Sequence, residues 1–354
     1  MRQGCSDLQK FTMFNSRTLN AAAGALAAFV SITAPSYAGS VTFGSGANQF
    51  TMDFATIGNP GNAADTTGNP NPAGSVGYTY DIGKFEVSED MITMYNANFG
   101  TANNLVITKD TRGTNNPATG ITWNEAARFF NWLNTSTGNQ AAYKFTTSGV
   151  NDNLVLWSSV DAGYDANNQY RNSLAKYFLP SYNEWYKAAF YDPNKLGGVG
   201  YWNYATGSDS APTAVTGGTT AGTAVYAQSL GQGPADVTNA GGISPYGVMG
   251  LSGNVFEWEE SSSDLANNSG SSLRGFRGGW WLQTNSINLS SSTRNSASPS
   301  VQNNGYGFRV ASLPSSGPTN GVPGPLPLFG AAAGFGWSRH LRNRIRRNAN
   351  CLLK

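Results

Sequence analysis

The sequence predicts an α+β fold built as one loop-rich domain, and three observations lead there. Two segments open on a Ser/Thr-x-x-Glu capping box and continue with apolar residues at helical spacing. Short runs of strand character lie at 40–44, 50–57, 78–87, 143–146, 154–159, 275–281 and 306–311. Long stretches of Gly, Asn, Ser and Thr separate them, notably 58–77 and 205–245. Connectors of that length are uncommon in a compact fold and usually either bind something or float free.

The helices follow from their starts. Ser88 can cap a segment running through Met91, Ile92 and Tyr95. Thr122 opens Thr-Trp-Asn-Glu, and Trp123, Ala126, Ala127, Phe130 and Leu133 recur behind it until Gly138 can end the helix. Ser181 opens Ser-Tyr-Asn-Glu, with Trp185, Ala188 and Ala189 behind it and Pro193 as a stop. A capping box satisfies two orphan amide donors at once, so its appearance twice before an apolar period is a firm start signal. No composition break divides 41–312, and no repeat of 20–50 residues is visible, so the body reads as a single domain over 39–312.

Composition then excludes whole classes. The chain has 354 residues, 39% hydrophobic, with 9 Trp, which can bury a large core. Its 43 Gly and 16 Pro stay below the roughly 25–30% of a low-complexity coil, so neither disorder nor a collagen-like chain fits. Residues 39–322 hold 13 basic and 19 acidic side chains, a mildly acidic body with no phosphate-binding surface, which speaks against nucleic acid. Cys5 and Cys351 sit at opposite extremes and His340 is the sole His. Between 6 and 339 there is thus no thiol or imidazole for nucleophilic catalysis, a structural zinc site, or His-ligated iron or copper.

The two ends read as addressing. Arg17 precedes an apolar run from Leu19 to Ile32, and small residues at 36 and 38 fit signal-peptidase cleavage after Ala38; the bland alternative is a buried N-terminal helix. At the other end, residues 313–324 form a linker, and 325–354 hold an apolar segment followed by Arg339, Arg342, Arg344, Arg346 and Arg347. The apolar stretch, Pro325 to Trp337, is short against the roughly 20 residues of a plain spanning helix. Val322-Pro323-Gly324-Pro325 before it resembles the motif of PEP-CTERM sorting tails, with Gly324 where the common form has Glu. That resemblance implies transient membrane association, processing by an exosortase-type enzyme, and delivery to the cell envelope, outer surface or extracellular matrix. The alternative is a permanent weak anchor or basic tail.

The densest chemistry lies in Gly-Asn-Val-Phe-Glu-Trp, 253–258. Gly253 allows a tight turn, and Asn254 can bond a neighbouring amide. Val255, Phe256 and Trp258 bury the stretch, so Glu257 between them needs a partner. Two are available: an Arg such as Arg277 or Arg309, or a calcium ion completed by the carbonyls of Gly253 and Val255. Arg277 and Arg309 read as buried guanidinium forks bracing loops, with substrate anchoring as the functional alternative. Glu257, Glu259, Glu260 and Asp264 read as a solvated acidic face rather than a glycosidase pair. The Ser-rich runs at 261–272 and 290–300 read as surface loops.

Five segments in order carry a family resemblance: YDIGKFEVSEDMI (80–92), PATGITWNEAARFFNWLN (117–134), YFLPSYNEWYKAAF (177–190), SPYGVMGLSGNVFEWEE (244–260), and RGFRGG (274–279) closing on GYGFRVA (305–311). Together they resemble the formylglycine-generating-enzyme, or sulfatase-modifying-factor, family. The resemblance implies a variant C-type-lectin-like fold over about 80 to 311 and a calcium ion held at the 253–257 turn. It also implies a calcium-ligating side chain three residues before the Gly, a position held here by Gly250, which has none. Family enzymes oxidise a substrate cysteine through a Cys-x4-Cys pair and copper; those positions fall on Gln283 and Asn288. Related sulfoxide-synthase-like members use His-ligated iron, so neither copper nor iron is expected here.

What remains is recognition. Trp280 and Trp281 follow the double Gly where the family's pocket wall would lie, and Tyr201, Trp202 and Tyr204 head a long loop. Exposed Trp and Tyr stack on sugar rings or peptide chains, while the alternative places each in the core. Trp280, Trp281 and Trp202, with Gln283, Asn288 and Arg294, make the expected ligand groove. The sequence thus points to an exported, non-catalytic binding or structural protein whose ligand is a polysaccharide or a surface protein. The alternative is a formylglycine-type oxidoreductase or another enzyme acting on protein substrates.

Overall fold

The computed structural model describes residues 37–314. The expected signal peptide up to residue 36, the linker beyond Pro314 and the whole apolar and basic tail lie outside the described residues, as do Cys5, Cys351 and His340; the last two residues of the expected signal peptide, Tyr37 and Ala38, are described.

The chain enters as a hairpin, β1 (Tyr37–Ser45) and β2 (Asn48–Ile57), paired antiparallel with Ser45 opposite Asn48. Gly44 is needed at its turn: φ is +88°, and a Cβ there would stand 2.1 Å from the Asn48 carbonyl oxygen. Along β2 the side chains alternate, with Phe50, Met52 and Phe54 buried and Thr51 and Asp53 exposed. β3 (Tyr80–Gly83) pairs antiparallel with β2. α1 (Glu89–Tyr95) starts at Ser88, whose hydroxyl accepts from the Met91 amide. α2 (Trp123–Ser136) has its capping box: Thr122 accepts from the Glu125 amide at 3.0 Å, and Glu125 from the Thr122 amide at 2.8 Å. Gly138, at φ +77°, follows its end as expected.

β4 (Tyr177–Phe178) leads to α3 (Tyr182–Phe190), where Ser181 and Glu184 form the second capping box. Two small pairs follow: β5 (Tyr191–Asp192) with β6 (Gly200–Tyr201), antiparallel, and β7 (Thr213–Val215) with β8 (Thr223–Val225), parallel. The remaining strands are β9 (Phe256–Ser262), β10 (Arg274–Arg277), β11 (Asn295–Ala297), β12 (Tyr306–Gly307) and β13 (Ala311–Ser312). Two sheets organise the body, one ordered β1-β2-β3-β13-β4 and the other β11-β10-β9-β12. β13 pairs with both β3 and β4, so the last strand closes the sheet that the first strands began.

The larger core gathers α2, α1 and the inner faces of both sheets. Phe129 and Phe130 of α2 meet Phe308 edge-on with centroids 5.7 Å apart, and Trp258 meets Phe276 at 5.6 Å. Each such side chain contributes on the order of 1.5–3 kcal/mol by leaving water. A second cluster surrounds α3, with Ile57, Ile82, Trp185, Tyr186 and Leu251.

Several strand expectations are corrected. The run 78–87 is strand only over Tyr80–Gly83, and 275–281 over Arg274–Arg277. Runs 143–146 and 154–159 form no strands and meet at a single bridge, Lys144 to Val155. Residues 306–311 contribute to two different sheets, because Phe308 and Val310 turn into the core between β12 and β13. The sequence reading missed the strand that became β9, which is buried on both faces, so its carboxylates and serines break the continuous apolar run such a strand would otherwise show. Nor do the long segments float free: Arg277 donates to the Asn69 carbonyl at 2.7 Å, and the Asn254 amide donates to Val225 of β8 at 2.8 Å.

Candidate functional site

The 253–262 segment is the hub. Gly253 and Asn254 both take positive φ, +85° and +61°, which turns the chain into β9. A Cβ on Gly253 would lie 2.4 Å from the Val225 carbonyl oxygen, so only glycine admits this approach. Asn254 is wholly buried; its Oδ1 accepts from the Ala235 amide at 2.9 Å and its Nδ2 donates to Glu86 at 3.0 Å.

Alternation along β9 then sends carboxylates to opposite sides. Glu257 and Glu259 share one side and Glu260 the other, all three fully buried. The expected solvated acidic face is corrected for these three, because each faces a guanidinium inside the molecule, while Asp264 is exposed and accepts from the Ser262 hydroxyl at 2.6 Å. Glu257 is held through both oxygens by Arg309, and Trp185 Nε1 donates to it at 2.7 Å. Glu259 is shared between Arg277 and Arg294, the latter at 2.7 Å. Glu260 accepts from Tyr143 at 2.9 Å and from Asn168, with Arg171 at 3.5 Å. Burial alone raises a carboxyl pKa, and for Glu260 it wins over Arg171; for Glu259 burial is outweighed by Arg294 and Arg277, which hold it below the ordinary value.

Of the partners the sequence allowed for Glu257, the structure supplies Arg309. A calcium ion would need the carboxylate oxygens that N–H donors now occupy. The side-chain ligand that the resemblance implies at position 250 is absent, and the Glu86 carboxylate lies against Gly250, 2.3 Å from where a Cβ would stand. The residues present fit the ion pair, not calcium. Glu86 is the residue that sequence reasoning missed. It is fully buried, and burial, with the like charge of Glu257 adding and Arg309 opposing, pushes its pKa up to about 7. The available signal was its setting between Phe85 and Val87, the same apolar bracket that marked Glu257.

The six expected groove residues do not form one wall. Trp281 is fully buried, with the Arg112 guanidinium 4.8 Å from its ring, and it packs with Val225 and Val255. Arg294 is an internal brace: besides Glu259 it bonds the carbonyls of Ser261, Ser262 and Ser263, so the start of the Ser-rich run is anchored rather than a free loop. Trp202 donates to Asp192 at 3.0 Å, and the Lys195 ammonium sits 4.2 Å from its ring. Trp280 is half-buried and stacks on Phe256 at 6.3 Å. Gln283 and Asn288 are half-buried; the Gln283 amide donates to the Trp280 carbonyl at 3.0 Å, and Asn288 lies in a short 3-10 turn, Ile287–Leu289.

Among the described residues no group of three or more His, Cys, Asp or Glu side chains could hold a metal ion. The described cavities lie elsewhere, and one of about 320 Å³ opens between β2, the start of α1 and the 237–238 loop.

Comparison with known proteins agrees with this architecture. No curated protein matches the chain. Among solved structures, Treponema denticola variable protein 1 is 20% identical, with 78% of this chain and 99% of that one covered at a TM-score of 0.50. A structure titled CarF is 19% identical, covering 74% and 98% at a TM-score of 0.52. These likenesses show a common fold. The sulfatase-modifying factor enzyme 1-like domain matches residues 33–313, well over half of the chain. On that match, this protein belongs to the sulfatase-modifying factor enzyme 1-like family.

Proposed function

We propose that the protein is an exported, non-catalytic binding or structural member of this family, acting at the cell envelope or extracellular matrix on a polysaccharide or a surface protein. One observation carries the reading: Gln283 and Asn288 stand where the resembled enzymes have their cysteine pair, and residues 6–339 contain no Cys or His at all. An amide side chain cannot act as a thiolate, and no imidazole is at hand to hold a redox metal. The buried carboxylates do not replace them, because Glu257 and Glu259 are held by arginines. Export rests on the signal-like segment before residue 39 and on the Pro-containing motif and basic tail, which would be read by signal peptidase and an exosortase-type enzyme.

Capture of matrix polysaccharides and surface proteins by the purified full chain tests the reading, and no capture of either would overturn it. A parallel assay with a cysteine-containing sulfatase peptide and copper is expected to show no aldehyde. Turnover there would establish the oxidoreductase instead.

A further inference from the structure

The cavity beside β2 is far from a bland crevice in its chemistry. Thr51 and Asp53 line it from the exposed edge of the β2 alternation, Asp90 from the first turn of α1, and Asn115 from a loop. Half-buried Phe85 and Met91 supply apolar surface. Glu86 also lines it; one of its oxygens accepts from Asn254, and the other has no partner among the described residues. No Lys or Arg lines the cavity; neighbouring Lys84 holds its ammonium 5.8 Å from the Phe85 ring.

We propose that this cleft is a carbohydrate subsite that takes a neutral or amino-sugar residue of a glycan. The inference rests on the binding role proposed above and moves the contact away from residues 280–294. A pyranose ring offers one apolar C–H face and a belt of hydroxyls. An aromatic and thioether surface suits the first, and carboxylate and amide groups suit the second, since each can hold neighbouring hydroxyls. About 320 Å³ falls at the small end of ligand sites and suits one or two sugar rings. Asp53 and Asp90, with no lining cation, disfavour uronic acids and sulfated sugars by like-charge repulsion.

Calorimetric titration of the full chain with cellotriose, a glucosamine trimer and trigalacturonate tests this. Cellotriose or the glucosamine trimer binds, and trigalacturonate binds at least tenfold more weakly. Asp90→Asn, and Asn115→Trp to fill the cleft from an exposed position, each weaken binding at least tenfold with the melting temperature unchanged. Equal binding of trigalacturonate, no binding of the other two sugars, or indifference to both substitutions would overturn the subsite. If matrix polysaccharide or surface protein is still captured by the Asn115→Trp variant, the subsite fails while the binding role stands.

Discussion

Arg309 ties the two sheets together through Glu257. Its Nη1 donates to the Gly83 carbonyl at the end of β3 at 2.9 Å, its Nη2 to the Met249 carbonyl at 2.9 Å, and the same fork grips the Glu257 carboxylate on β9. Both side chains are fully buried. A buried pair is weak evidence of net stabilisation, yet removing one partner leaves a stranded charge.

Arg309→Met should therefore destabilise the protein by about 3–5 kcal/mol in denaturant unfolding. Arg309→Lys should recover little, because a single ammonium cannot reach two carbonyls and both carboxylate oxygens in that planar geometry. Full stability in the Lys variant would show that charge alone matters.

Glu86 sets a pH dependence. Its folded pKa, about 7, lies above the ordinary carboxyl value of 4.5, so the folded state binds more protons than the unfolded state between those limits. Its contribution is fully present below about 4.5 and is lost as pH rises through about 7. Glu86→Gln should unfold at higher denaturant than the parent at pH 8, with the gap closing by pH 5. Each pKa unit corresponds to about 1.4 kcal/mol. A gap that does not vary with pH would refute this.

Gly250 and Glu86 compete for one space. At φ +77° a Cβ on residue 250 would stand 2.3 Å from the Glu86 carboxylate. Gly250→Asn should cost about 1–3 kcal/mol through overpacking. Combined with Glu86→Ala the loss should be smaller than the sum of the single losses, since the second change vacates the room the first requires. Additive losses in a double-mutant cycle would separate the two sites.

Calcium should change the melting temperature little, because the Glu257 oxygens are occupied by Arg309 and Trp185. A site that bound calcium only when folded, at a hundredfold excess over its dissociation constant, would add about 2.7 kcal/mol. A rise of that size, abolished by Glu257→Ala, would restore the calcium site.

The caps offer a simpler check of local structure. Thr122→Ala and Ser181→Ala each remove a side-chain acceptor from a helix start, at 3.0 and 3.3 Å from its amide, and should each cost about 1 kcal/mol in thermal unfolding.

The amino-acid sequence by itself determined the helices and the chemistry the body lacks. Thr122, Ser181 and their glutamates act within four residues, so their geometry is legible without the rest of the chain. The absence of Cys and His from 6–339 is likewise a property of composition, and the family motifs sit in one order along the chain. Only the tertiary structure decided which guanidinium meets which carboxylate, since Arg309 and Glu257 lie 52 residues apart and Arg277 meets Asn69 across 208. It also turned Glu257, Glu259 and Glu260 inward, and covered Trp281 and Arg294. Burial depends on what packs on the far side of a strand, and that neighbour is supplied by distant chain.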